Sequence, residues 1–105
     1  MTSNGRRTQV GDVDVPVDHL IGGQWVGSAS TFATNSPLDW DAGPLAQVAR
    51  GDASTAKAAV SAAVEGFTAW SGLAVVERAE ILHRLADLIE ARNEEIAMVE
   101  SLDMG

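Results

Sequence analysis

The chain has 105 residues, 15 Asp and Glu against 7 Lys and Arg, a formal net charge of −8, and no cysteine. That length holds one small domain at most, and an apolar share of 46% is too high for a disordered chain. Without a thiol, these residues form no disulfide, Cys-ligated zinc site, iron–sulfur cluster or thiolate nucleophile. The acidic balance argues against nucleic acid, which needs a basic patch.

Residues 1–18 are polar and are expected to form a flexible tail. Arg6-Arg7 is followed by Thr8-Gln9-Val10-Gly11-Asp12, not by the apolar stretch of roughly 7–15 residues that an export signal requires. No apolar run approaches the roughly 18 residues of a membrane span, so no membrane partner is expected and a cytoplasmic location is the default.

Residues 19–50 read as short strands. His19-Leu20-Ile21 and Gln24-Trp25-Val26 flank Gly22-Gly23, the pattern of a tight hairpin. Thr31-Phe32-Ala33-Thr34 alternates, and Pro37 to Pro44 supplies turn chemistry through Asp39, Asp41 and Gly43. Pro44 to Ala49 reads as a further short strand, ended by Gly51.

Residues 51–105 read as helices. Asp52 is the natural N-cap of the first, and Ala56, Ala59, Val60, Ala63, Val64, Phe67 and Trp70 give it one apolar face until Ser71-Gly72 ends it. From Val75, the residues Ile81, Leu82, Leu85, Ala86, Leu88 and Ile89 share half of a helical wheel. Glu77, Glu80, His83, Arg84, Asp87 and Glu90 fill the other half. Asn93-Glu94-Glu95 reads as a break, with Asn93 capping a third helix whose first turn holds two carboxylates. Arg78 falls inside the apolar stripe, where a guanidinium must find an ion pair or reach water along its stem.

Few residues carry chemistry. His19 and His83 have no companion ligands at metal spacing and read as ordinary side chains. Asp39-Trp40-Asp41-Ala42-Gly43 lacks the third oxygen ligand of a calcium loop, and Arg50 stands where its closing glutamate belongs. Gly22-Gly23 is not a dinucleotide fingerprint, because no helix starts there. The residues alone show no active site.

The order of the pieces carries more. His19-Leu20-Ile21-Gly22-Gly23-Gln24-Trp25-Val26, Phe32-Ala33-Thr34-Asn35-Ser36-Pro37 and Leu45-Ala46-Gln47-Val48-Ala49-Arg50-Gly51-Asp52 come first. Phe67-Thr68-Ala69-Trp70, Glu77-Arg78-Ala79-Glu80-Ile81-Leu82, Leu85-Ala86-Asp87-Leu88-Ile89-Glu90 and Glu100-Ser101-Leu102-Asp103-Met104-Gly105 follow. In this order, from His19 to Gly105, the chain resembles the N-terminal segment of the NAD(P)-dependent aldehyde dehydrogenase superfamily. Ser36-Pro37-Leu38-Asp39-Trp40 looks closest to semialdehyde or betaine-aldehyde-type members. The Pro37–Pro44 turn, with Trp40, is longer than the family's usual turn.

The resemblance implies an α/β fold: a Rossmann-type parent in which this fragment contributes an N-terminal β-hairpin, a short third strand and three helices. It implies a truncated or partial dehydrogenase, the parent oxidising an aldehyde to a carboxylic acid with NAD or NADP and assembling as a homo-oligomer. The cofactor loop and the Cys, Glu and Asn of the family's chemistry have no counterparts here. The chain alone is therefore expected to be non-catalytic, to have no catalytic or cofactor-binding residues, and to be loosely packed or self-associating. The alternative is a small interaction module that docks on a full-length dehydrogenase. By resemblance only, Thr34, Asn35 and Asp103 match positions that hold a monovalent cation, K+ or Na+, in some members.

Overall fold

The structure is a computed structural model that describes residues 5–105. Met1–Asn4, the start of the expected tail, lie outside the described residues. Much of the remaining tail is ordered into a hairpin, which corrects the expectation. Strands β1 (Arg7–Val10) and β2 (Val13–Pro16) pair antiparallel, from Arg7 opposite Pro16 to Val10 opposite Val13.

The physical reason lies in the valines. Val13, Val15 and Val17 alternate with the exposed Asp14 and Pro16, so one face of the ribbon is apolar. Val10 and Val17 are only 5% and 6% exposed and form the core with Ala46 of the later strand β6 (Pro44–Ala49). Gly11 makes the turn at φ +60°, where a side chain would also press on Leu102. At the open end, the Val17 amide donates to the Arg6 carbonyl at 3.1 Å, and the Ala49 amide donates to the Val17 carbonyl at 2.9 Å. The second bond ties the hairpin to β6.

The next hairpin follows the sequence reading. β3 (His19–Ile21) and β4 (Gln24–Val26) pair antiparallel across Gly22-Gly23, both at positive φ, as a two-residue turn of matching twist requires. Strand β5 (Thr31–Asn35) pairs antiparallel with β6, and the ladder bulges between Thr34 and Asn35. A single 3-10 turn at Trp40–Ala42 lies in the connection.

Helix α1 (Ala53–Ser71) starts as expected at Asp52. Asp52 Oδ1 accepts from the Thr55 amide at 2.9 Å, while Thr55 Oγ1 accepts from the Asp52 amide at 3.2 Å, a reciprocal capping box. Helix α2 (Val75–Ala91) starts with the Ala74 amide donating to Glu77 Oε2 at 2.9 Å. Helix α3 (Asn93–Met104) begins differently from the reading. Asn93 is its first residue and not its cap; Arg92 alone breaks the two helices and reaches Glu95 with Nη2–Oε2 at 2.8 Å. The Arg92 amide still donates to the carbonyls of Leu88 and Ile89, so α2 passes almost directly into α3.

Mixed α/β architecture with three helices and short antiparallel strand pairs is therefore what these residues form. Among the described residues the buried apolar set is small: Val10, Val17, Ala46 and Ala49. Val99 and Leu102 of α3 pack against that core, whereas α1 and α2 stay outside it. Arg78 is half-buried and takes part in none of the three ion pairs among the described residues, so of the two expectations for it the ion pair is not formed. No described helix is long and apolar enough to cross a membrane.

Candidate functional site

Two ends of the fold converge near Thr34. The ladder shifts register between Thr34, opposite Ala46, and Asn35, opposite Pro44, so that Leu45 of β6 is the extra residue; Thr34 and Asn35 are both half-buried. Immediately after them Ser36 is buried at 7% exposure, its Oγ accepting from the Leu38 amide at 3.3 Å. The C-terminus of α3 lies against this turn: a Cβ placed on Gly105 would sit 2.8 Å from Pro37 Cγ. Asp103, exposed in the last turn of α3, carries a negative charge where the helix dipole disfavours one.

Thr34 and Asp103 line one groove of about 880 Å³ between the β1–β2 hairpin, β6 and the α2–α3 junction. Its walls include Val13, Val15, Leu45 and Ile96. Asn35 is adjacent in sequence but is not part of that wall. The structure thus brings two of the three residues matched to a cation site to one surface. Sequence reading missed the hairpin wall of the groove; its signal was the alternation of Val13, Val15 and Val17 after Gly11-Asp12.

The cations at the groove's rim are already engaged. Arg7 Nε lies 2.6 Å from Asp14 Oδ2, and Arg92 is paired with Glu95. At the hairpin's base, the Asp18 carboxylate accepts from the Arg6 amide at 2.8 Å and pairs with its guanidinium at 2.8 Å. The amide bond is the main cause holding the Asp18 carboxyl below its ordinary value, helped by the guanidinium.

A second cluster surrounds the N-terminus of α1. Hydrogen bonds from the Ser54 hydroxyl, then the Thr55 amide and hydroxyl, hold Asp52 down at about 2. His19 Nε2 lies 3.0 Å from Ser28 Oγ, joining the two ends of the β3–β4 hairpin, and Arg50 lies over the Phe32 ring at 5.0 Å. These contacts have structural work to do. His83 is exposed on α2, and no group of three or more His, Cys, Asp or Glu residues that could hold a metal occurs among the described residues.

Two places where a dinucleotide's phosphates could rest are not built to hold them. Gly22-Gly23 turns between two strands, not from a strand into a helix. The amides at the start of α1 face the Asp52 carboxylate, whose charge repels a phosphate from the place where a helix would otherwise bind one.

Comparison with known proteins supplies what the site does not. Residues 25–105 match the model of the aldehyde dehydrogenase family. The chain is 36% identical over 105 positions to a hydroxyisobutyraldehyde dehydrogenase of Mycolicibacterium austroafricanum, covering 94% of this chain and 20% of that protein. It is 38% identical over 89 positions to the 5-carboxymethyl-2-hydroxymuconate semialdehyde dehydrogenase of Escherichia coli, covering 85% of this chain and 19% of that one. It is also 38% identical over 111 positions to aldehyde dehydrogenase family 2 member B4, mitochondrial, of Arabidopsis thaliana, covering 99% of this chain and 20% of the relative. The chain therefore spans about a fifth of the length of the curated relatives it matches. With the family model matched along most of its length and in the order its own motifs suggested, this chain belongs to the aldehyde dehydrogenase family.

Proposed function

We propose that this chain supplies the N-terminal part of an NAD(P)-dependent aldehyde dehydrogenase that oxidises an aldehyde to its carboxylic acid. The family match over residues 25–105 carries this reading. In it, a Rossmann-type cofactor domain and the catalytic groups belong to polypeptide outside these residues. Aldehyde oxidation of this type needs a thiolate to attack the carbonyl carbon, and these residues contain no cysteine. The chain's own contribution is then architectural: caps, hairpins and helix faces that brace the domain doing the chemistry.

The same reading takes Thr34, Asn35 and Asp103 as ligands of a monovalent cation, K+ or Na+. Its support is the shared groove of Thr34 and Asp103. A carboxylate at a helix C-terminus also gains from a neighbouring positive charge.

A chimera tests the proposal. The stretch of the Mycolicibacterium relative that this chain matches is replaced by the 105-residue chain, and nicotinamide reduction is followed with a panel of aldehydes. The expected result is aldehyde-dependent reduction by the chimera and none by the 105-residue chain alone. A folded chimera inert toward every aldehyde, or turnover by the chain alone, would overturn the reading.

A further inference from the structure

Thr34 and Asp103 come from distant parts of the chain, one near the end of β5 and the other in the last turn of α3. What joins them is the small core. Thr34 stands opposite Ala46 in the β5–β6 ladder, and Ala46 is buried with Val10 and Val17. Asp103 follows Leu102, which packs with Val99 against the same three residues. Val10 and Val17 belong to the β1–β2 hairpin and its base, with β1 beside β6 and β2 beside α3. The hairpin is thus wedged between the strand behind Thr34 and the helix that carries Asp103.

Its closest approach is at the turn. Gly11 comes first of the two turn residues and holds φ +60°, the conformation that a glycine-first hairpin turn requires. A Cβ there would lie 3.0 Å from Leu102 Cδ1 and 3.8 Å from Met98 Cγ, two side chains one turn apart on α3. The other end of the hairpin is fixed to β6 by the bond from the Ala49 amide to the Val17 carbonyl. The family match begins only at residue 25, after this hairpin. Asp103 takes part in none of the three ion pairs among the described residues, so its charge is open to a cation.

We infer that the β1–β2 hairpin positions the cation site: Val10 and Val17 set the spacing between Thr34 and Asp103, and Gly11 sets how Leu102, and Asp103 after it, are placed. This rests on the cation reading given above and adds to it residues that touch no cation. Gly11, Val10 and Val17 are positioning residues, acting through Ala46 and Leu102. Hairpin attachment and cation binding then draw on one core, so they are coupled in both directions. Whatever cation affinity gains from an attached hairpin, hairpin attachment gains from a bound cation.

Amide exchange at Val17 and Ala49 tests this in the chimera described above, in K+ and in a bulky organic cation at equal ionic strength. K+ should slow both amides about fivefold and leave the β3–β4 hairpin unchanged. Asp103→Ala should abolish the difference. Gly11→Ala should raise about fivefold the K+ concentration needed for a given rise in melting temperature. Gly23→Ala, also at positive φ but with nothing within 4 Å of its Cβ, should not. Exchange indifferent to K+, in a chimera whose melting still responds to K+ through Asp103, would overturn the inference and leave the cation reading standing. An equal K+ shift in Gly11→Ala and Gly23→Ala would overturn it too, as general destabilisation moves both alike. No response of melting or exchange to K+ would remove the cation reading and this inference together. The unsubstituted chimera gives the exchange readout even where Gly11→Ala fails to fold, and no readout depends on turnover.

Discussion

Val17→Ala is the sharpest probe of the hairpin that residues 5–18 form. Val17 is 6% exposed, packs in the core with Val10 and Ala46, and its carbonyl accepts the Ala49 amide at 2.9 Å. Truncation removes two methylene-sized groups, at about 0.8 kcal/mol each. A cavity would add to this in a closed core, but Val17 also borders the open groove, where neighbours can settle into the space. The expected loss is therefore about 1.5–2 kcal/mol, or roughly a 10- to 30-fold rise in local opening at 1.4 kcal/mol per decade. Amide exchange at Val17 and Ala49 reads it directly, because the first amide closes the hairpin's base onto Arg6 and the second ties the hairpin to β6. Both should exchange about 10- to 30-fold faster, while α1 amides change less than about twofold, since α1 lies outside this core. Unchanged exchange at Ala49, or equal acceleration in α1, would refute the argument.

Gly11→Ala and Gly23→Ala separate two causes. Both sites hold positive φ, at +60° and +75°, so each substitution should cost about 1–2 kcal/mol of backbone strain. Only at Gly11 does a Cβ meet a neighbour, Leu102 Cδ1 at 3.0 Å; a lower denaturation midpoint for Gly11→Ala than for Gly23→Ala checks that contact. Asp52 sits at about 2 in the folded chain against an ordinary 3.8. A depressed carboxyl stabilises above its unfolded value and ceases to do so as pH falls through the folded one. Helical circular dichroism should therefore decline from about pH 4 to about pH 2, and Asp52→Asn should remove that component. For the proposed cation, exchanging K+ for a bulky organic cation at constant ionic strength should lower the chimera's melting temperature. Asp103→Ala should make melting indifferent to the swap, and equal sensitivity in both proteins would reject Asp103 as a ligand.

What could be read from the sequence was what neighbouring residues decide among themselves. Asp52 caps α1 because its carboxylate reaches an amide three residues away, and Gly22-Gly23 turns because two adjacent residues tolerate positive φ. Asn93 misled for a related reason: asparagine suits a cap, but the Arg92 amide keeps its bonds to Leu88 and Ile89, so no fresh start was needed. The β1–β2 hairpin was missed because Arg7, Thr8, Gln9, Asp12 and Asp14 make the segment polar on average. Its order comes from Val10 and Val17 meeting Ala46, a contact distant in sequence. The groove holding Thr34 and Asp103 shares that origin, since one of its walls is the hairpin. Family resemblance pointed to the positions, but only tertiary packing places two of them on one surface.

The contrast between well-specified elements and a sparse core bears on how the chain works. Caps and turns determine where each helix and strand begins, and they act without the rest of the fold. The relative placement of α1 and α2 is a different matter, because Phe67 and Leu85 are both more than half exposed and neither belongs to the buried core among the described residues. Alanines at positions 56, 59 and 63 sharpen the point. They add little burial of their own, yet a face of short side chains admits close approach of another element. Such a helix gains more from a neighbour that fits it than it can gain alone. The local signals of this segment are thus complete within it, whereas the packing that would fix its large apolar residues is not found among the described residues.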